Sequence, residues 1–300
     1  MTGASGFAGR HLVAECLSAG DDVVELSRSA GAHVDLLDAE AVGSAVGRAQ
    51  PEVVYHLAAR AHVGQSWSAP ADTLHDNVAM TLNVLEAVRS SVPDAAIVAV
   101  GSGEVYGPPA QLPVGESAPL RPQNPYAVSK ASADLLAGFY ADAHGLRVMR
   151  ARAFNHAGPG QAPIYAIATF ARQVAAGLEA GDDPIRVITG NPDTRRDFTD
   201  VRDVVRAYRA LAEHGEAGQA YNICSGRTAS AAELVEQLGR AAGREVVSEV
   251  DPSLLRGHEV MEVRGSFDRL REATGWEPVI PLKITLGDTV RWWRAQLRPA

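Results

Sequence analysis

Short β-branched runs alternate with alanine-rich stretches of helical spacing through the first two hundred residues. Helical spacing over residues 8–19 leads into a strand in "DVVELS" (22–27), a helix over 38–49 and a strand in "VVYHLA" (53–58). A long helix at 72–90, a strand in "AIVAVGS" (96–102), a long helix at 124–143 and a strand in "RVMRAR" (147–152) follow. Strands separated by helices of this length predict parallel βαβ units, and so an α/β fold with a doubly wound parallel sheet. Beyond about residue 153 the pattern loosens, and "GPGQ", "GDDP" and "GNPD" break the chain into loops, which predicts a smaller α/β lobe. "DVRDVVRAYRAL" (200–211) and "AYNICSG" (220–226) form one more helix–strand unit returning to the sheet. Amphipathic helices are expected at 229–242 and 283–296, with "TGWEP" (274–278) a loop between them. The expected division is residues 1–153 plus about 200–226 in the sheet domain, and about 154–199 plus 227–300 in the lobe.

Composition narrows the classes. Three hundred residues, 46% of them hydrophobic, are enough for a large core. No apolar run approaches the roughly 18 residues of a membrane-spanning helix, and no basic segment leads an apolar one as in a secretory signal. Cys16 and Cys224 are too few for a disulfide framework and lack metal-ligand spacing, so a reducing, cytoplasmic setting is expected. A net charge of −8 without a basic run argues against nucleic acid as a partner. Of the 28 basic residues all but Lys130 and Lys283 are arginine.

The chain begins "MTGASGFAGRHL". G-x-x-G-x-x-G spacing alone is weak, since glycine-rich turns produce it by chance. Here Gly3, Gly6 and Gly9, with Ser5, Phe7 and Ala8 between them, open a helix whose N-terminal dipole and free N–H groups suit a pyrophosphate. With the strand that follows, this makes the sheet Rossmann-like and dinucleotide-binding. After that strand "LSRS" offers Arg28 and no carboxylate beyond Glu25. Arg28 can pair with a 2′-phosphate, which favours NADP(H) and leaves NAD(H) open, with a solvated loop arginine as the alternative. Asp35 is placed to accept from the adenine amino group. Only Met1 precedes the loop, although such loops follow a buried central strand. Each Val, Leu or Ile of that strand contributes roughly 1.5–3 kcal/mol, so a few apolar residues are expected ahead of Met1 in the natural protein, which intact mass would test.

"NPYAVSK" (124–130) sets Tyr126 and Lys130 four residues apart on one helix face. A phenol of pKa near 10 exchanges protons poorly at neutral pH, and a nearby lysine cation favours the phenolate. With lysine so rare, a chance surface pair is the weaker reading.

"TGASGFAG", "YHLAA" (55–59), "GSGEVYG" (101–107), "NPYAVSK" and "RDFTDVRD" (196–203) together resemble the extended short-chain dehydrogenase/reductase family over essentially the whole chain after residue 2. The resemblance implies a Ser102–Tyr126–Lys130 set in which Ser102 holds the substrate oxygen, Tyr126 protonates it and Lys130 also holds the nicotinamide ribose. It implies cofactor contacts from Leu36, Leu57, Ala58 and Ala59. Within the family "FNHAGPGQ" (154–161), "GNPDTRRDFTDVRDVVRAY" (190–208) and "VRGSFDRLREATGWEP" (263–278) are most similar to enzymes acting on GDP-linked 6-deoxy sugars, the 4-keto reductases. "HLAARAHVGQSW" (56–67) is more similar to the GDP-mannose 4,6-dehydratases. Glu104 stands where dehydratases keep an acid/base glutamate, but Gly103 replaces the acidic or hydroxylic residue commonly beside it. The expectation is therefore NADPH-dependent reduction of GDP-4-keto-6-deoxymannose, ahead of the dehydratase reaction, C4 epimerisation and a non-catalytic NADP-binding role.

On the same resemblance Asn155 and Arg196 meet the substrate diphosphate. Arg256 and Glu259 form a further sugar-nucleotide pair, although Gly257 replaces the family's usual proline. His56, His62 and His156 lie on separate segments and are expected as hydrogen-bonded supports rather than metal ligands, while Trp276, Trp292 and Trp293 are expected to pack. The helices at 72–90 and 124–143 match those that pair across a dimer in the family the chain resembles, so a homodimer is expected.

Overall fold

The computed structural model describes residues 1–27, 32–255 and 260–298. Its main sheet is parallel, in the order β3 (Val53–His56), β4 (Ala96–Val100), β5 (Val148–Ala153), β9 (Ala220–Ile223). Beyond β3, Thr2 bridges His56 on one side and Leu26 on the other, and so joins the short parallel pair β1 (Leu26–Ser27) and β2 (Ala32–His33) to the sheet. The strand expected over 22–27 is thus reduced to its last two residues. Strand pairing needs a neighbour, and here Met1 and Thr2 are the neighbour: Met1 bonds Val24 and Leu26, and Thr2 bonds Tyr55 and Leu57.

Side chains alternate across these strands and sort into two cores. Tyr55, Ala96, Val98, Met149 and Ala151 pack with α1 (Phe7–Ser18) and α7 (Val201–His214), through Leu12, Cys16, Val204 and Tyr208. Val54, Ile97 and Val148 face the other way, onto α2 (Ala39–Ala49), α4 (Pro70–Ser91) and α5 (Pro125–His144). This is the doubly wound arrangement the alternation predicted. A short α3 (Val63–Ser68) precedes α4 and was not legible as an element.

The lobe is built on β8 (Arg195–Asp200), flanked by β10 (Thr228–Ser230), β12 (Glu262–Val263) and β6 (Asn155–Ala157), and on a parallel pair β7 (Ile185–Thr189) and β11 (Val246–Val250). Its core lies among α6 (Ala166–Ala180), α8 (Ala231–Ala242) and α10 (Leu282–Leu297). Helix α6 had no place in the expected pattern, although Ile167, Phe170, Ala171 and Val174 carry the spacing of a buried face. Between them α9 (Asp268–Thr274) packs Leu270 and the following Trp276 onto the main sheet's core. The Trp276 indole N–H donates to the Asp203 carbonyl at 3.0 Å.

Three carboxylates spaced by three in "DFTDVRD" fasten the lobe. Asp197 accepts from Ser225, Gly226 and Gly265. Asp200 caps α7 and accepts from Thr285 of α10 at 2.7 Å, and Asp203 accepts from the amides of Val279 and Ile280.

Helix α5, which carries Tyr126 and Lys130, is fastened by charge. Asp134 is buried and accepts from Arg150 at 3.0 Å and from Arg152 at 2.7 and 2.9 Å, both arginines on β5. Arg152 also donates to the Tyr106 hydroxyl, which donates to Asn222 of β9. Removing one partner of a buried pair strands the others and costs about 3–5 kcal/mol. Asp134→Asn should therefore destabilise the chain by about that amount, read as a lowered midpoint in chemical denaturation; an unchanged midpoint would show that the two arginines find other partners.

Candidate active site

The glycine loop leaves the sheet at Thr2 and enters α1 with no side chain capping the helix. Gly3 has φ +69°, and a Cβ there would come within 2.8 Å of the Ala58 amide nitrogen. At Gly9 a Cβ would meet the Gly3 carbonyl at 2.1 Å and the Ala4 carbonyl at 2.7 Å. The loop is thus pressed against its own helix and against Leu57–Ala58, which only glycine permits. Its uncapped N–H groups form a cradle that fits a pyrophosphate. Ser5 and Gly6 are exposed at the tip, while Phe7 and Ala8 are half-buried. Phe7 stacks on His156 with ring centroids 5.9 Å apart, His11 donates to the Pro159 carbonyl and Arg10 to that of Gly160. The start of α1 after the loop is therefore in direct contact with the lobe segment after Asn155.

Of the residues expected at the adenosine, Asp35 accepts from Leu37 and is exposed, and the buried Leu36 bonds Asn83 through its carbonyl. Leu57, Ala58 and Ala59 line the strand end beside Gly3, half-buried. Arg28 lies outside the described residues.

The candidate catalytic set, Ser102, Tyr126 and Lys130, comes together where β4 ends and α5 begins. Ser102 lies close enough to the Tyr126 hydroxyl to lower its pKa and accepts from the Glu104 amide at 3.2 Å, capping the short turn Gly103–Tyr106. Asn124 caps α5 through the Ala127 amide at 2.8 Å and donates to Glu104 at 3.3 Å. Pro125 occupies the first helical position, where its missing N–H costs nothing. Lys130 is buried and donates to the Val100 carbonyl at 2.6 Å.

The electrostatics differ from expectation in one respect. Burial pushes the Tyr126 phenol well above its ordinary range, against the lowering influence of Ser102 and with the help of Glu104. Lys130 is not among the groups that move the phenol; its ammonium donates to Val100, and burial pushes its own pKa down to about 8, while Asp134 pulls it up. The phenol is consequently held protonated, as a proton donor requires.

On the substrate side Asn155 of β6 pairs with Phe198 of β8, two residues from Arg196, so the register sets Asn155 and Arg196 on one face of the lobe sheet. Arg196 donates to the Arg195 carbonyl at 2.8 Å. Its neighbour Arg195 is bidentate to Glu233, a structural pair. Arg256 and Glu259 fall outside the described residues. The histidines behave as supports: His62 caps α3, His156 bonds the Phe154 carbonyl, and His56 sits between Thr2 and Thr81. Among the described residues no cluster of three metal-ligating side chains occurs, and no helix is long and apolar enough to cross a membrane.

Two features escaped sequence reading. Asn124 was legible only as part of a motif, although Asn-Pro before an alanine-rich run is a helix-start signal. Phe154, buried against the flat backbones of Gly103 and Gly265, carried no local signal at all. A methyl group at Gly3 tests the cradle: Gly3→Ala should weaken dinucleotide binding at least about tenfold, since left-handed backbone costs roughly 1–2 kcal/mol before the clash is counted. Fluorescence titration reads the affinity, and wild-type binding would reject the cradle.

Residues 1–224 match the NAD dependent epimerase/dehydratase family. Over 99% of its length the chain is 39% identical to the GDP-6-deoxy-D-mannose reductase of Pseudomonas aeruginosa, covering 97% of that protein. It is 34% identical to a dTDP-glucose 4,6-dehydratase of Streptomyces griseus, covering 98% of this chain and 93% of that one. In structure it is similar to RMD from Pseudomonas aeruginosa complexed with NADPH, with TM-score 0.89 and 39% identity over 98% of each chain. It is also similar to the UDP-glucose 4-epimerase of Thermotoga maritima solved with UDP-glucose, at TM-score 0.89 and 27% identity over 99% and 98% of the two chains. The cradle, the Ser102–Tyr126–Lys130 set and these matches have one conclusion: the chain belongs to the NAD dependent epimerase/dehydratase family of extended short-chain dehydrogenases/reductases.

Proposed function

We propose that this chain reduces the 4-keto group of GDP-4-keto-6-deoxy-D-mannose, giving GDP-D-rhamnose, with NADPH as the reductant. The observation that carries the choice of reaction is at Gly103. A Cβ there would meet the Phe154 ring at 2.9–3.1 Å, so the position beside Glu104 has no room for a second acid. Removing water across C5–C6 takes a base and a proton donor beside it. Reduction takes a single acid at the C4 oxygen. Tyr126, held protonated by burial, is that acid. The similarity to the Pseudomonas reductase and to its NADPH-bound structure supports the same reading and the NADP(H) preference.

The dinucleotide, when bound, supplies the hydride. The chain's own groups do the rest: Tyr126 donates its proton to the emerging alkoxide and Ser102 holds that oxygen. Lys130 keeps two ammonium hydrogens beyond the one given to Val100, enough to hold a ribose hydroxyl. Glu104, tied to Asn124, orients a sugar hydroxyl. Asn155 and Arg196 take the diphosphate, for which a planar guanidinium suits bidentate contact. In this reading residues 1–153 with 200–226 bind the cofactor and 154–199 with 227–300 bind the GDP-sugar, in the cytoplasm.

The chain is also proposed to act as a homodimer. Leu82 of α4 and Leu135 and Phe139 of α5 are exposed, 61% in the case of Leu135, and two such helix pairs would cover one another. Phe139→Glu should convert the dimer to a monomer in sedimentation velocity, and a monomeric wild type would end this part of the proposal.

NADPH absorbance on adding enzymatically prepared keto sugar, with chromatography of the products, tests the reaction. GDP-rhamnose is the expected product. Conversion of GDP-mannose to the keto sugar with NADP, without NADPH oxidation, would instead make Glu104 an eliminating base. Tyr126→Phe should lower turnover at least about 100-fold with little change in NADPH affinity, and near-normal turnover would remove Tyr126 from the chemistry.

A further inference from the structure

Behind the site runs a set of buried polar side chains that the reaction does not use. Thr2, His56, Asn77, Thr81 and Ser129 are each 5% exposed or less. The Thr2 hydroxyl lies 2.8 Å from His56 Nδ1 and accepts from the Ala58 amide at 3.2 Å. His56 Nε2 lies 3.1 Å from the Thr81 hydroxyl, which donates to the Asn77 carbonyl at 2.8 Å. The Asn77 side chain accepts from the Arg60 amide at 2.7 Å and donates to the Ser129 hydroxyl at 2.8 Å. Ser129 donates to the carbonyl of Tyr126 itself, at 2.7 Å.

Counting protons gives this set a direction. A hydroxyl has one hydrogen to donate, and Thr81 gives its hydrogen to Asn77. His56 must therefore donate from Nε2, which leaves Nδ1 as the acceptor for Thr2. Burial, with the Lys130 charge nearby, holds the ring neutral and its pKa down at about 3. Each polar atom in the run is matched to a partner of the opposite kind, so a protonated ring or the other tautomer would break it.

We infer that His56, as the neutral Nε2–H tautomer, is a positioning residue that fixes the glycine loop relative to the catalytic helix through this one directed chain. Thr2 immediately precedes Gly3, and Ser129 is within the first turns of α5 beside Tyr126 and Lys130. The two ends of this hydrogen-bonded run are therefore the loop that cradles the pyrophosphate and the helix that holds the nicotinamide ribose of a dinucleotide. The inference rests on the loop and α5 sharing that cofactor.

The inference predicts a split between the two ends. Thr2→Val cuts the chain at the loop and should weaken NADPH binding about tenfold or more, because a small displacement of a pre-organised site is costly. Thr81→Val cuts it beyond His56, leaving the loop bonded, and should keep NADPH affinity while lowering kcat about tenfold. Thr81→Ser restores the hydroxyl and should restore kcat. A structural role alone would lower stability in both valine variants without dividing affinity from turnover. Long-range proton–nitrogen spectra of the wild type should show His56 as the neutral Nε2–H form at pH 7. An Nδ1–H or charged His56, or Thr2→Val and Thr81→Val variants with indistinguishable NADPH affinities, would overturn the inference. Should the wild type bind NADPH yet reduce no keto sugar, the proposed reaction fails, while the spectrum and the affinity split still decide this one.

Discussion

The carboxylate of Asp134 lies in the protein interior with two guanidinium groups against it, and the site depends on that arrangement. A charge taken out of water must be met by charge and by well-directed hydrogen bonds. Arg150 and Arg152 meet it from β5, and Arg152 passes the connection through Tyr106 to Asn222 on β9. One helix is thereby held to two strands and to the turn after β4. That helix carries Tyr126 and Lys130, and that turn begins with Ser102. Without the anchor, the tyrosine and the serine would belong to elements free to shift against each other.

The same burial sets the chemistry. A tyrosine beside a lysine invites the expectation of a depressed phenol pKa, but that expectation assumes an ammonium free to act on the ring oxygen. Here the ammonium, which gives one hydrogen to the Val100 carbonyl, is not among the groups that move the phenol, and the phenol is desolvated. Desolvation disfavours the charged form of either group, so the phenol rises and the ammonium falls. The outcome is a neutral donor, which suits giving a proton to a reduced carbonyl oxygen.

Packing also decides what the turn can do. Phe154 follows β5 with its ring against Gly103 and Gly265, so the turn after β4 and the lobe segment after β12 both approach through glycine. The acidic side chain at Glu104 stands without an acidic neighbour because the space is taken. The triplet Asp197, Asp200 and Asp203 fastens the other lobe segments to β8 and α7.

Much of this fold and site is legible in the amino-acid sequence. The alternation of β-branched and alanine-rich runs dictates a doubly wound sheet, because buried parallel strands must be continuously apolar and their crossovers helical. The glycine spacing and the Tyr126–Lys130 pair are readable because backbone conformation and helical periodicity are local properties. Long-range contacts are not local. Nothing near His56 in the chain announces Thr2 or Thr81, and nothing near Asp134 announces Arg150 and Arg152. Helix α6 is hidden by the loops around it, and the strand at 22–27 is shortened because a strand is defined by its neighbour. Local propensity names the groups that carry the chemistry. Which of them are buried, which are paired and which proton each one holds is decided only when the chain closes around them.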